Sequence, residues 1–306
     1  MPTLPPISLI VHGGAWNIPQ DLIEAHRTGV RTALDAGWKV LSGGGTAADA
    51  VETAIRSMED DPTFDAGRGS FINALGEVEL DASIMNGDTF ACGAVASVQT
   101  IRNPIALARL IMEKSDNVLL AGIGAVRFAR EHGMPQCKKD DLIVPRELQR
   151  WKELQSKKNF DPRSAFTSGL PSDTVGAVAR DANGTIVSGT STGGTPNKHP
   201  GRVGDSPLIG AGTYSDSKVG GVSCSGWGEA IIKVNLAKTV IDRMEYLKEN
   251  GEAAATASLT LLKQRVEGVG GIILIDNNGN PFAVYNTPRM ARAYRTHTMK
   301  NPVVDV

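Results

Sequence analysis

Ile7 to Val11 is a short, mostly β-branched apolar run closed by His12-Gly13-Gly14, which predicts a buried strand ending in a tight turn. The spacing then becomes helical. Val30, Leu34, Trp38 and Leu41 recur every three or four residues until Gly43-Gly44-Gly45 breaks the pattern. A second helix is expected from Thr46, whose hydroxyl can cap it with Asp49 three residues on; Ala47, Val51, Ala54, Ile55 and Met58 form its apolar stripe. Glu59 to Gly76 keeps neither period and reads as an ordered loop. Strand-like runs return between Glu77 and Thr100, centred on Ala94, Val95, Ala96 and Val98. Asn103-Pro104 opens the next helix by its cap chemistry, and another is expected from about Asp116 to Gly133.

Residues 138–173 are rich in charge, hold one short helical pattern and end in a Ser/Pro/Gly tail, so they read as a flexible linker. The pattern changes sharply at Thr174. TVGAVAR and TIVSGTST are β-rich runs separated by Asp181-Ala182-Asn183-Gly184, a hairpin signal. A glycine-rich stretch to Gly228 precedes a helical stripe of Ile231, Val234, Val240, Ile241, Met244 and Leu247. GGIILIDNNGNPFAVYN then gives a second hairpin with Asn278-Gly279 at its turn. Two hairpin-bearing strand sets with helices between and after them suit two stacked sheets with helices outside, not an alternating parallel sheet.

A chain of 306 residues can bury a large core without disulfides or a structural metal. With 32 Lys+Arg against 33 Asp+Glu and no long run of one sign, it carries no footprint for nucleic acid or an anionic membrane, and a small-molecule partner is more natural. Cys92, Cys137 and Cys224 are odd in number and widely spaced, which argues for a reducing compartment and against a thiolate metal site. With no signal-like start and no long apolar run, a cytoplasmic location is expected. The 34 glycines are more than usual and cluster, and the clusters are where chemistry is sought.

Gly189-Thr190-Ser191-Thr192-Gly193 fits the nucleophile elbow of serine hydrolases, but the elbow requires a helix straight after the serine, and Gly194, Pro196, Pro200 and Gly201 follow instead. His12 reads as a buried, hydrogen-bonded histidine, and Gly43 to Gly45 as a helix terminator. Thr174 offers different chemistry. If the backbone were cut before it, one residue would carry a hydroxyl and a free α-amine, whose pKa of about 7.7 to 8 suits a general base. On its own, Asp173-Thr174 at a strand start is ordinary.

From Asp173 onward, DTVGAVARD, TSTGGTPNKHPGRVGDSPLIGAGTY and VSCSGWGE resemble the plant-type asparaginase and isoaspartyl aminopeptidase family of N-terminal nucleophile hydrolases. LIVHGGAW, AGRGSFINALGEVELDASIMNG and the following GAVA and RNPI extend the resemblance over nearly the whole chain except 138–173. The resemblance implies an α+β fold, one four-layer αββα sandwich over residues 1–306 that cleaves itself between Asp173 and Thr174. An α subunit of residues 1–173 and a β subunit of residues 174–306 would stay associated, and two such pairs would form a dimer. It also implies residue roles: Thr174 as nucleophile with Thr192 beside it, Arg202 on the substrate α-carboxylate, Asp205 on the α-ammonium, and Ser225 with Gly226 at the oxyanion. No cofactor is implied for catalysis. A structural sodium ion is implied on backbone carbonyls of the 58–68 loop, at Met58, Glu59, Asp61, Phe64, Ala66 and Arg68.

Three positions depart from the family pattern. Asp65 stands where the family usually has Asn, which would put a charge near the substrate site; Ser225 replaces Thr; and Trp227 replaces a small or polar residue. The implied activity is hydrolysis of L-asparagine and of β-aspartyl dipeptides. A glycosylasparaginase of the same superfamily, and a non-catalytic amino-acid binder that never matures, are the alternative readings.

Overall fold

The computed structural model describes residues 6–156 and 173–306. The first of these spans holds β1 (Ser8–Trp16), α1 (Ile23–Ser42), α2 (Ala47–Asp60), β2 (Leu80–Asn86), β3 (Cys92–Val98), α3 (Pro104–Lys114), β4 (Leu119–Ala121), α4 (Gly122–Glu131) and α5 (Pro145–Gln155). The second begins with the hairpin β5 (Val175–Arg180) and β6 (Ile186–Thr192), followed by β7 (Thr213–Asp216) and β8 (Gly220–Gly226). Helices α6 (Gly228–Val234), α7 (Leu236–Tyr246) and α8 (Gly251–Val266) follow, then β9 (Gly270–Asp276), β10 (Pro281–Tyr285), β11 (Arg289–Thr296) and β12 (Val303–Asp305).

The strands form an eight-stranded sheet in the order β12-β11-β1-β5-β6-β2-β3-β4 and a four-stranded sheet in the order β10-β9-β8-β7. Alternation along each strand sorts its side chains between two cores. Leu9 and Val11 of β1, and Val175, Ala177 and Ala179 of β5, join the cluster under α1, α2 and α3. Their neighbours Ile10 and Val178 join Ile273 and Ile275 of β9 in a second cluster between the sheets. The other face of β9, Ile272 and Leu274, packs with Val222 and Cys224 of β8 against α6, α7 and α8. Three apolar interfaces therefore separate helices, large sheet, small sheet and helices, in the order that two stacked sheets with outer helices require.

Local chemistry explains most boundaries. Thr46 caps α2 by accepting the Asp49 N–H at 3.1 Å, and the Asp49 carboxylate reaches back to the Thr46 N–H; such a cap stabilises a helix by about 1 kcal/mol. Pro104 starts α3 as expected, although Asn103 makes no side-chain cap bond.

Four expectations are corrected. The strand β1 does not turn at His12-Gly13-Gly14. It runs on to Trp16 through a bulge against β11, with Gly14 at φ +95, and a Cβ on Gly13 would collide with the Phe64 ring. The glycines thus serve a bulge and a close approach instead of a turn. The helix expected from Asp116 starts only at Gly122, because Leu119–Ala121 pairs parallel with β3. The stripe from Ile231 to Leu247 is two helices, broken at Asn235 with φ +48, and the glycine-rich stretch before it contains β7 and β8. The first part of the expected linker is folded: Leu142, Val144, Glu147 and Leu154 are buried, and the Trp151 indole N–H donates to the Asn73 carbonyl at 2.9 Å. High charge disguised a narrow apolar face there. The remainder of that linker, residues 157–172, lies outside the described residues.

Candidate active site

Thr174 stands one residue before β5, where the register Val175↔Ser191, extended by one step, sets it opposite Thr192 on β6. Cross-strand partners share a face, and this face is the inter-sheet one. The two hydroxyl oxygens are 3.1 Å apart, both residues are nearly fully buried, and the Gly194 N–H donates to Thr192 Oγ1 at 3.0 Å. With one backbone donor already on its oxygen, Thr192 is held in a single orientation toward Thr174 Oγ1. Ser191 points to the opposite face, where its hydroxyl donates to Glu59 Oε1 at 2.7 Å. That burial removes the serine-elbow reading.

The HGGAW segment of β1 runs along the same site. His12 is fully buried, its Nε2 lies 3.0 Å from Ser223 Oγ, and burial pushes its pKa down to about 3, so the ring is neutral. The bulge turns the Ala15 N–H onto Ser225 Oγ at 3.0 Å, leaving the Ser225 hydroxyl proton free to donate elsewhere. Gly226 follows at φ +148, and a Cβ there would overlap the Val269 carbonyl and come within 2.5 Å of Gly270 Cα, so only glycine fits. Trp16 ends the strand with its indole N–H on Asp173 Oδ1, and His26 of α1 approaches the same oxygen through Nε2 at 3.0 Å. Its other nitrogen, Nδ1, donates to the Leu22 carbonyl at 2.8 Å. Burial alone would lower the His26 pKa, but the Asp173 carboxylate carries it above the usual value.

Beyond Gly194 the chain brings charged groups close to the Thr192 turn. Arg202 makes a fork of two bonds with Glu229, Nε to Oε1 and Nη2 to Oε2, both 2.9 Å. Its remaining nitrogen, Nη1, faces Gly194, and a Cβ on Gly194 would come 3.4 Å from it. Asp205 flanks Arg202 across Gly228: a Cβ there would sit 2.9 Å from Arg202 Nη2 and 3.0 Å from Asp205 Oδ1. Asp205 Oδ2 is buried without a hydrogen-bond partner, and burial pushes the carboxyl pKa up to about 7. Lys198 is buried with Nζ on the Glu79 carbonyl at 2.8 Å; burial lowers its pKa against the pull of Asp81 and Glu79. The arrangement can hold a zwitterion, with a guanidinium edge for a carboxylate and a carboxylate for an ammonium, beside a buried hydroxyl pair.

Asp65 lies beneath the Thr192-Gly193 turn. Its carbonyl accepts the Gly193 N–H at 2.8 Å, its Oδ1 accepts the Phe71 N–H at 2.8 Å, and its Oδ2 has no hydrogen-bond partner. Burial, reinforced by the charges of Glu147 and Asp173 and opposed by the Phe71 N–H and the Lys198 charge, raises its pKa well above the ordinary value. Burial therefore opposes the charge expected at this position.

In the 58–68 loop the carbonyls of Met58, Glu59 and Asp61 accept the N–H groups of Asp61, Arg68 and Phe64. Gly67 and Gly69 adopt φ +55 and +107; a Cβ on the first would sit 2.5 Å from the Glu59 carbonyl oxygen, and one on the second 2.9 Å from those of Pro62 and Phe64. Both glycines are therefore required by the close approach of neighbouring backbone oxygens. The Glu59 carboxyl points away toward Ser191, and burial pushes its pKa up to about 8. Among the described residues, no group of three His, Cys, Asp or Glu side chains is placed to hold a metal ion, and no helix is long and apolar enough to cross a membrane.

Sequence reasoning did not single out Trp16, His26, Lys198, Glu229 or Asp81. One signal was present for His26, which takes a core position in the stripe continued by Val30 and Leu34. The others become neighbours only through pairings distant in sequence.

A buried hydroxyl pair, a strand-end oxygen fed by a backbone N–H and opposed charges for a zwitterion are groups that hydrolysis of an amide can use. The chain belongs to the asparaginase family, whose profile matches residues 5–304. It is 44% identical over 287 residues to the isoaspartyl peptidase/L-asparaginase of Danio rerio, covering 93% of this chain and 91% of that one. Against the human isoaspartyl peptidase/L-asparaginase the identity is 44% over 285 residues, with the same shares covered. The plant-type L-asparaginase of Pyrococcus furiosus is 43% identical over 312 residues, covering 98% of this chain and all of that one.

Proposed function

We propose that this chain is a self-processing threonine amidohydrolase that cleaves the side-chain amide of L-asparagine and the isoaspartyl bonds of dipeptides, releasing L-aspartate. The observation that carries the reading is the Thr174 hydroxyl at the head of β5, 3.1 Å from that of Thr192, in a chain of the asparaginase family. Scission between Asp173 and Thr174 converts the Thr174 nitrogen from an amide into an amine with a pKa of about 7.7 to 8, which takes the hydroxyl proton as Oγ1 attacks the substrate carbonyl. A β-aspartyl ester forms as ammonia or an amino acid leaves, and water frees the enzyme. Arg202 Nη1 holds the α-carboxylate and Asp205 the α-ammonium. The Ser225 hydroxyl and the Gly226 N–H meet the oxyanion; each such donor is worth on the order of 3 kcal/mol in the transition state. Asp65 shapes the substrate pocket from beneath Gly193.

Association of the fragments is supported by strand order. β1 lies between β11 and β5, and β2 beside β6, so residues 1–173 and 174–306 interleave in one sheet. Two such αβ pairs form the dimer in this reading. The resident ion is sodium, held by carbonyls of Met58, Glu59, Asp61, Phe64, Ala66 and Arg68, where it stiffens the loop that carries Asp65. Free Cys92, Cys137 and Cys224 accord with a cytoplasmic location.

Intact mass and N-terminal sequencing, read beside aspartate release, test the proposal. Active protein is expected as two fragments, the second beginning at Thr174, and Thr174→Ala is expected uncut and inactive. Full activity from an unbroken chain overturns the reading. Faster release from GlcNAc-asparagine than from β-aspartyl dipeptides would reassign the substrate.

A further inference from the structure

Asp173 is the residue before the proposed scissile bond, and its side chain is held from β1 and from α1. Both Trp16 Nε1–H and His26 Nε2 reach Oδ1, and the side chains of His26 and Asp173 are 1% and 2% exposed. His26 is itself immobilised. Nδ1 is tied to the Leu22 carbonyl, the Trp16 ring packs edge-on with centroids 5.9 Å apart, and the Phe64 ring does the same at 5.6 Å. Phe64 fits there because Gly13 of β1 and Gly29 of α1 leave room; a Cβ on Gly29 would come 2.5 Å from its ring.

We propose that Trp16 and His26 are positioning residues for self-cleavage, clamping the Asp173 side chain so that its main-chain carbonyl stays presented to the Thr174 hydroxyl. This rests on the self-processing reading above. The nucleophile and the carbonyl carbon are joined through the Thr174 Cβ, Cα and nitrogen, so their approach closes a five-membered ring and is governed by the torsions on either side of the peptide. The clamp fixes the Asp173 side; Thr192 and the β5 pairing fix the Thr174 side. In the step itself the Oγ1–C bond forms, the C–N bond breaks and the hydroxyl proton ends on the Thr174 nitrogen. Water then splits the ester, adding its oxygen to the Asp173 carbonyl carbon and returning a proton to Oγ1. Held at Oδ1 by Trp16 and His26, the Asp173 side chain acts as an anchor in this step.

The test follows full-length protein from a cell-free synthesis pulse, with intact mass reporting conversion to two fragments and thermal unfolding of the uncut chain reporting folding. Trp16→Phe, His26→Gln and Asp173→Asn are each expected to slow conversion on the order of 10- to 100-fold, the usual loss when a reacting group is misplaced. His26→Gln added to Asp173→Asn is expected to slow it no further, since the clamp acts through Asp173; a merely structural role would make the two losses multiply. Conversion of His26→Gln at the wild-type rate, or multiplied losses in the double variant, overturns the proposal. If His26→Gln does not fold, Trp16→Phe decides, and its conversion at the wild-type rate is fatal to the clamp. Wild-type protein that never acquires a terminus at Thr174 overturns the self-processing reading instead.

Discussion

The Thr174 and Thr192 hydroxyls face each other across β5 and β6 at 3.1 Å, with the Gly194 N–H behind the second at 3.0 Å. A methyl group in place of the Thr192 hydroxyl keeps the shape, removes the contact and orphans the Gly194 N–H, a buried donor whose loss of partner costs about 1–3 kcal/mol. Thr192→Val is therefore expected to lower kcat on the order of 100-fold with a modest change in KM, measured as aspartate release per mole of cleaved enzyme. An unchanged kcat would remove Thr192 from the reaction.

Glu229 fixes the plane of Arg202 through two bonds of 2.9 Å and leaves Nη1 toward Gly194. A forked pair gives geometric specificity as well as energy. Glu229→Gln keeps one bond of the fork and is expected to raise KM for asparagine about tenfold with kcat nearly unchanged, the pattern of lost ground-state binding. A fall in KM would mean that Glu229 competes with the substrate carboxylate for Arg202.

The sheets, their hairpins and the capped helices could be read from the chain because period, turn and cap signals are local: Thr46 with Asp49, Asp181 to Gly184 and Asn278-Gly279 all form as expected. The Thr174 and Thr192 pair came from the family resemblance, and the observed hairpin register puts 174 opposite 192. What stayed hidden depends on contacts between distant segments. His12 to Ser223, Ala15 to Ser225 and His26 to Asp173 each join positions at least 147 residues apart. The continuation of β1 through Gly13-Gly14 was missed because a glycine pair signals a turn and a bulge alike, and only the Phe64 ring packed on Gly13 decides between them.

Asp205 makes binding pH-dependent. Its pKa of about 7 reflects burial, and only the ionised form can pair with a substrate ammonium. KM for asparagine is therefore expected to rise as pH falls below about 7. Stability runs the opposite way. A carboxyl whose folded-state pKa is raised holds its proton more tightly when folded, so its contribution is present at low pH and lost as pH climbs through about 7. Asp205→Asn is expected to unfold a few degrees higher at pH 8, about the shift that 1 kcal/mol or more gives in a chain of this size, with little gain at pH 5. Equal gains at both pH values would show that the buried charge is not the cause.

Ser191 donates to Glu59 from the face of β6 that looks away from Thr174. Ser191→Ala removes one of two donors on Glu59 Oε1, the Ile105 N–H remaining at 3.0 Å. It is expected to cost about 1 kcal/mol of stability, since the Glu59 carboxyl stays neutral through burial, and to leave fragment formation and aspartate release within twofold of wild type. Loss of turnover in a folded Ser191→Ala protein would revive the serine nucleophile.

Asp65 separates a neutral carboxyl from a charge at the floor of the site. Its Oδ1 accepts the Phe71 N–H and its Oδ2 has no hydrogen-bond partner, so Asn in its place preserves the one bond and adds an amide where the structure has a partnerless oxygen. With the folded-state pKa raised well above the ordinary value, wild-type stability declines as pH rises through it, by the same sign as for Asp205. Asp65→Asn carries no such proton and is expected to flatten that part of the decline, its advantage over wild type in thermal unfolding growing as pH rises. If the carboxyl were instead ionised at neutral pH and held by Lys198, the substitution would strip a buried pair of one partner, and the unfolding temperature at pH 7 would fall by several degrees.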